Sequence, residues 1–196
     1  MQSFLLKTVK KIKKNIKLTI ILASIYLIGF ILGIIFSNKN LCNNILKVNI
    51  NNYYFLVFNV SINVFKPFFN CLLTGVLLTL AVSAFGFTTI TVYLFSIVIF
   101  YKGLVLGTSL LLFYSLSNIS GLLTFIILTL PTNVLITSGL IICNVLNYEN
   151  LNTCNSNVKF KKILLNALIS IVFTFVASIY FLFLLITVIR PINLLF

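Results

Sequence analysis

Apolar residues fall in long unbroken runs along this chain, with polar residues clustered between them. Residues 18–36 are 19 consecutive positions without a charge, residues 68–84 form a second such stretch, and from 67 to 146 the chain is almost continuously apolar. A last run fills 163–189 and ends at Arg190-Pro191. A helix needs about 20 apolar residues to cross the hydrocarbon core of a bilayer. Runs of this length therefore predict an all-α fold, a polytopic transmembrane helical bundle.

Within the central run, boundaries must be read from Gly, Pro and isolated polar residues. Pro67 suits the first turn of a helix and opens a span over 68–84 that Gly86 closes. Residues 87–116 are too long for one upright helix and too short for two, and Lys102-Gly103 interrupts them. A lysine at the bilayer centre costs about 2.5–3.5 kcal/mol on insertion scales. Lys102 is therefore expected near an interface, snorkelling, or facing a wet interior, with a helix break beside it. The next run, 121–146, is interrupted by Pro131-Thr132-Asn133. Proline lacks a backbone donor and clashes with the preceding turn, and irregular backbone at membrane depth persists only where protein or water satisfies it. Two half-helices meeting at Pro131 are the expectation, with Asn133 bonding the carbonyls that Pro131 frees or a neighbouring helix. In the first run, Gly29 and Gly33 have the four-residue spacing that lets a second helix approach closely, although small residues are frequent in membrane helices anyway.

The polar clusters give the topology. Six lysines (Lys7, Lys10, Lys11, Lys13, Lys14, Lys17) precede the first run, and Lys159, Lys161 and Lys162 precede the last. Lys and Arg flanking a span favour the cytoplasm, so an even number of crossings lies between the two groups. Spans over 18–36, 68–84, 87–116 (broken) and 121–146 (broken) make four, and 163–189 makes a fifth. The expected organisation is a basic cytoplasmic segment, 1–17, and one transmembrane domain, 18–196. The Asn-rich aqueous segment, 37–66, and the C-terminus then lie outside. The first run exceeds the apolar core of a signal peptide and no A-x-A site follows it, so it reads as an uncleaved span. The expected location is the cell membrane, multi-pass, with the N-terminus cytoplasmic.

Composition sharpens this picture. Hydrophobic residues make up 61% of the chain and charged residues 8%, against roughly 25% charged in soluble domains. Fourteen Lys plus Arg face one acid, for a net charge of +13. Nucleic-acid binding would need those charges on a soluble face, and none is available; beside the spans they attract anionic lipid head groups instead. Cys42, Cys71, Cys143 and Cys154 show no CxxC spacing, so neither a zinc site nor a disulfide framework is signalled. There is no His and no Asp, and Glu149 lies in a loop. Paired-carboxylate chemistry is excluded by residue count, proton relays through intramembrane acids are disfavoured, and no nucleotide-binding glycine loop occurs. The expectation is no enzymatic activity, no metal and no cofactor. A scaffold, a partner-binding subunit or a permeation path remains.

Tyr101-Lys102-Gly103-Leu104-Val105-Leu106-Gly107, then Gly121-Leu122-Leu123, then Leu130-Pro131-Thr132-Asn133, together resemble the stage II sporulation protein M family. The resemblance extends over most of the chain: a basic N-terminus, a Gly-bearing first span, an aqueous segment, a K-G-x-x-x-G turn and a proline-asparagine break one segment later. Thr132 departs from the glutamine expected there in sporulating bacilli, and the histidine and glutamate common in the wider family are missing. The resemblance implies a non-enzymatic membrane protein of a low-GC Gram-positive bacterium. It would anchor a peptidoglycan-degrading complex with partners similar to stage II sporulation proteins D and P during engulfment. On this reading Lys102, Gly103, Gly107, Pro131 and Asn133, with Gly29 and Gly33, shape a groove between helices for a partner's membrane segment; alternatively they only bend helices so that the bundle packs on itself. A transporter or channel subunit with its site at the broken helices is the rival class, a lysis pore is a more distant one, and a homo-oligomer is compatible with the sequence.

Overall fold

The computed structural model describes residues 11–37, 65–85, 90–151 and 156–189, and its elements are all helices. The aqueous segment at 38–64 and the first ten residues of the basic segment lie outside the described residues, as does Gly86. In chain order the helices are α1 (Ile16–Ser37), α2 (Phe65–Phe85), α3 (Ile90–Thr124), α4 (Leu130–Asn150) and α5 (Ser156–Leu184). A π-helical stretch, Phe125–Thr129, joins α3 to α4, and another, Leu185–Ile189, ends α5. Four stretches are long and apolar enough to cross a membrane: Ile16–Ser37, Tyr93–Ser115, Asn118–Asn150 and Asn157–Thr187. The apolar part of α2, Phe68–Ala84, is shorter.

Side-chain contacts fix the direction of each pass. Gly29 faces Phe100 and Leu104, and Gly33 faces Leu104 and Thr108, so α1 and α3 run parallel. The amides of Asn147 and Asn166 bond at 2.8 Å while Gly139 abuts Phe173, so α4 and α5 are antiparallel. Gly75 abuts Thr174 and Thr79 bonds Ser170, so α2 is antiparallel to α5 as well. Successive passes thus alternate, and α1, α3 and α5 begin at one end of the bundle. At that end Glu149 pairs with Lys11 at 3.6 Å and Lys14 at 3.7 Å. The chain's one acid thereby ties the basic segment ahead of α1 to the last turn of α4.

Two expected breaks are corrected. The helix runs without interruption through Lys102-Gly103, inside α3. Glycine costs a helix entropy but keeps its amide donor, so the backbone ladder survives and the missing side chain only opens one face. At Pro131 the helix is distorted rather than divided: the Leu130 amide donates to the Phe125 carbonyl, five residues back. That extra residue in the turn moves the proline ring off the carbonyl it would otherwise strike. The real corner lies between the expected segments, where Asn118 takes a left-handed conformation at φ 51°. Asparagine tolerates that region better than other side chains with a Cβ. The chain reverses there, bringing the Phe113 and Phe125 rings to 5.9 Å between centroids.

The bundle is apolar outside and mixed within. Ile20, Ile28, Ile31 and Ile35 of α1 and Leu168, Val172, Phe175 and Phe183 of α5 are about half exposed, whereas Thr79, Ser170, Thr174, Ser178 and Asn147 are buried. In water such an outer surface would be an aggregation liability. In lipid it is the expected inversion, because acyl chains solvate Leu and Ile while small and polar residues hold helices together. A core of Leu22, Phe95, Ile99, Leu140 and Val145 sits where α1, α3 and α4 meet, with Val82 and Ala177 added from α2 and α5.

Candidate functional site

Of the seven residues singled out in the sequence, four glycines lie in one place, Lys102 and Asn133 in another, and Pro131 in the turn two residues before Asn133. Gly29, Gly33, Gly103 and Gly107 all lie in the α1–α3 crossing. A Cβ at Gly103 would strike the Tyr26 carbonyl oxygen and approach the Phe30 amide to 3.0 Å; one at Gly107 would strike the Phe30 oxygen and approach the Ile34 amide to 3.0 Å. Gly29 and Gly33 meet the backbone of α3 in the same way. Two four-residue glycine repeats therefore interlock backbone against backbone. They join α1 to α3, and none of them lines the recess beside Lys102.

Lys102, one residue from Gly103, points away from that crossing. With Tyr101 and Val105 it lines a groove closed on the other side by Thr74, Leu77 and Leu78 of α2 and by Asn133 of α4. The groove encloses about 390 Å³. Its rim opens on the outer face of the bundle, since Leu77, Tyr101 and Val105 are exposed while Lys102 is half-buried. Lys102 and Asn133, 31 residues apart in the chain, thus deliver a cation and an amide to one apolar-walled recess between three helices.

The backbone around Pro131 explains how Asn133 is held. Proline cannot donate to the turn before it, which leaves the Ile127 carbonyl short of its donor at membrane depth, where an unsatisfied group costs several kcal/mol. Tyr180 Oη supplies the missing donor to the Ile127 oxygen at 3.0 Å, while Thr132 Oγ1 and Asn133 Nδ2 add side-chain bonds to the Leu128 and Thr129 oxygens at 2.6 and 2.9 Å. Asn133 is thus held against the turn beside the proline by its nitrogen, on a carbonyl other than the one Pro131 frees. Its amide oxygen is the acceptor it can present to the groove.

Sequence reasoning missed the polar seam between α2 and α5. Gly75, Thr79 and Ser83 recur every fourth residue, and so do Ser170, Thr174 and Ser178. The two stripes meet with Thr79 Oγ1 and Ser170 Oγ 3.0 Å apart. The four-residue recurrence of small residues was the available signal, the same one that marks Gly29 and Gly33. Among the described residues no group of three His, Cys, Asp or Glu could hold a metal ion. Comparisons with protein-family models, with curated proteins and with solved structures find no match for this chain.

Proposed function

We propose that this chain is a multi-pass cell-membrane scaffold, non-enzymatic, with its N-terminus cytoplasmic, and that it holds a partner's membrane segment in the groove between α2, α3 and α4. The observation that carries the reading is the convergence of Lys102 and Asn133 on a recess that opens sideways toward lipid. A lateral opening suits a helix arriving within the membrane plane. The resemblance to the stage II sporulation protein M family names the setting: assembly of a peptidoglycan-degrading complex at the engulfing membrane, with partners similar to stage II sporulation proteins D and P.

The test fills the groove without touching the glycine crossing. Thr74→Trp and Val105→Trp should abolish co-purification of those partners while leaving expression and the folded bundle intact, and Asn133→Leu should weaken it. Undiminished partner recovery with both tryptophans in place refutes the proposal. Gly103→Leu is unsuitable here, because it drives side-chain atoms into the α1 backbone.

The half-buried Lys102 also favours a second reading, a transporter or channel subunit, since distorted helices and intramembrane charges line many transport sites. Flux of an anionic solute into vesicles that hold the purified chain alone, lost in Lys102→Met, would select it over the scaffold.

A further inference from the structure

We infer that the partner segment docked in this groove carries an acidic side chain at mid-membrane depth, and that its carboxylate neutralises Lys102; the inference rests on the scaffold reading above. Depth comes from the α1–α3 register. Gly103 lies against Tyr26 and Phe30, near the middle of α1 (Ile16–Ser37). At 1.5 Å per residue, Lys102 sits about 14 Å from the nearer end of that helix. A lysine there is costly unless it pairs or reaches water.

This chain cannot supply the countercharge. Glu149 is its one acidic side chain, and it is engaged at the bundle's end by Lys11 and Lys14. Among the described residues the titratable side chain facing Lys102 is the Cys71 thiol, and free thiols are largely neutral at pH 7. A second copy would bring the same acid-poor spans, so self-association cannot pair the charge either. Lipid phosphates and fatty-acid carboxylates belong at the interface, more than a helical turn from this level. What remains is a different polypeptide whose membrane helix bears Asp or Glu halfway along. The groove suits it: Leu77, Leu78 and Val105 offer apolar contact around one cation, and the Asn133 amide offers a hydrogen bond.

The experiment uses the full chain in phosphatidylcholine vesicles with poly-leucine helices of about 20 residues carrying Asp, Asn or Leu at the centre, association being read by energy transfer. Recovering half the insertion penalty corresponds to about tenfold in affinity, so the Asp helix should bind at least that much more tightly than the other two. Lys102→Met and Lys102→Gln should reduce it to the Asn level. Equal binding of all three helices, blocked by Thr74→Trp, overturns the acidic partner and leaves the scaffold groove standing. No binding of any helix overturns both. Phosphatidylglycerol that co-purifies with the wild type but not with Lys102→Met identifies the counter-ion as lipid and also overturns the inference.

Discussion

Replacing Gly107 with alanine tests the central packing claim. The added methyl has no room: it would strike the Phe30 carbonyl oxygen, and the Phe30 carbonyl carbon and Ile34 amide are each 3.0 Å away. All three obstacles are backbone, so none can rotate aside, and α1 and α3 must part by roughly 1 Å to restore contact. A gap of that size forfeits about a quarter to a half of each van der Waals contact across the crossing. Overpacking generally costs about 1–3 kcal/mol; a rigid obstacle puts Gly107→Ala near the top, about 150-fold in the unfolding equilibrium. Gly75→Ala provides the control, because the obstacle there is the Cγ2 methyl of Thr174, a side-chain tip that a rotamer change can move. Alanine's helix-propensity advantage, up to about 1 kcal/mol, acts at both sites, so their difference isolates the collision. Unfolding in mixed micelles, titrated with dodecyl sulfate and followed by far-UV circular dichroism, should rank Gly107→Ala well below Gly75→Ala. Stability within about 0.5 kcal/mol of the wild type for Gly107→Ala, or a larger loss for Gly75→Ala, refutes the backbone-on-backbone crossing.

Three other expectations follow from the hydrogen bonds and ion pairs. Tyr180→Phe should cost about 0.6–1.7 kcal/mol, the range for interhelical bonds in membranes, and much less in a Pro131→Ala background, where the restored amide no longer leaves the turn short of a donor; an equal cost in both backgrounds, measured as a double-mutant cycle, breaks the link between the two residues. Asn166→Ala should cost about 1–3 kcal/mol by leaving the buried Asn147 Oδ1 without its donor, whereas Ser170→Ala, in a seam where Thr79 also donates to the Gly75 carbonyl, should cost under about 1 kcal/mol in the same titration. Glu149→Gln should speed hydrogen exchange over residues 11–15 while changing global stability by at most about 1 kcal/mol, since Lys14 is 77% exposed and such pairs are screened; an exchange rate unchanged by the substitution argues against the tether.

Helical passes were legible because they rest on one quantity, the length of uncharged apolar sequence, which composition and lipid thickness constrain together. Details at glycine and proline were less so. Gly29 and Gly33 read as a helix-pairing surface, yet the identical spacing at Gly103 and Gly107 looked like a break, because Lys102 beside it drew attention to cost rather than to packing. Two repeats are needed for each to explain the other, and nothing in a linear reading says which spans will be neighbours. Pro131 was legible as a disturbance, but the group that answers the Ile127 carbonyl is Tyr180 rather than the expected Asn133, and Tyr180, 49 residues further on, was beyond reach. Asn118 lies between the expected segments and carries no signal of its own there, although its tolerance of positive φ is what closes the hairpin. Lys102 was recognised as needing a partner or water. The groove that makes the need specific is assembled from three helices, and only their relative placement reveals it.

The parallel pairing of α1 with α3 has a consequence for biogenesis. Gly29 and Gly103 are 74 residues apart in the chain, so at about 5–20 residues per second the ribosome needs roughly 4–15 s to deliver the second half of that crossing after the first. Throughout that interval the bare glycine ridge of the first helix is in the bilayer or the insertion machinery with no cognate surface. Lipid packed temporarily into the notch fills it until the cognate helix arrives, which leaves this helix open to mispairing in the nascent chain.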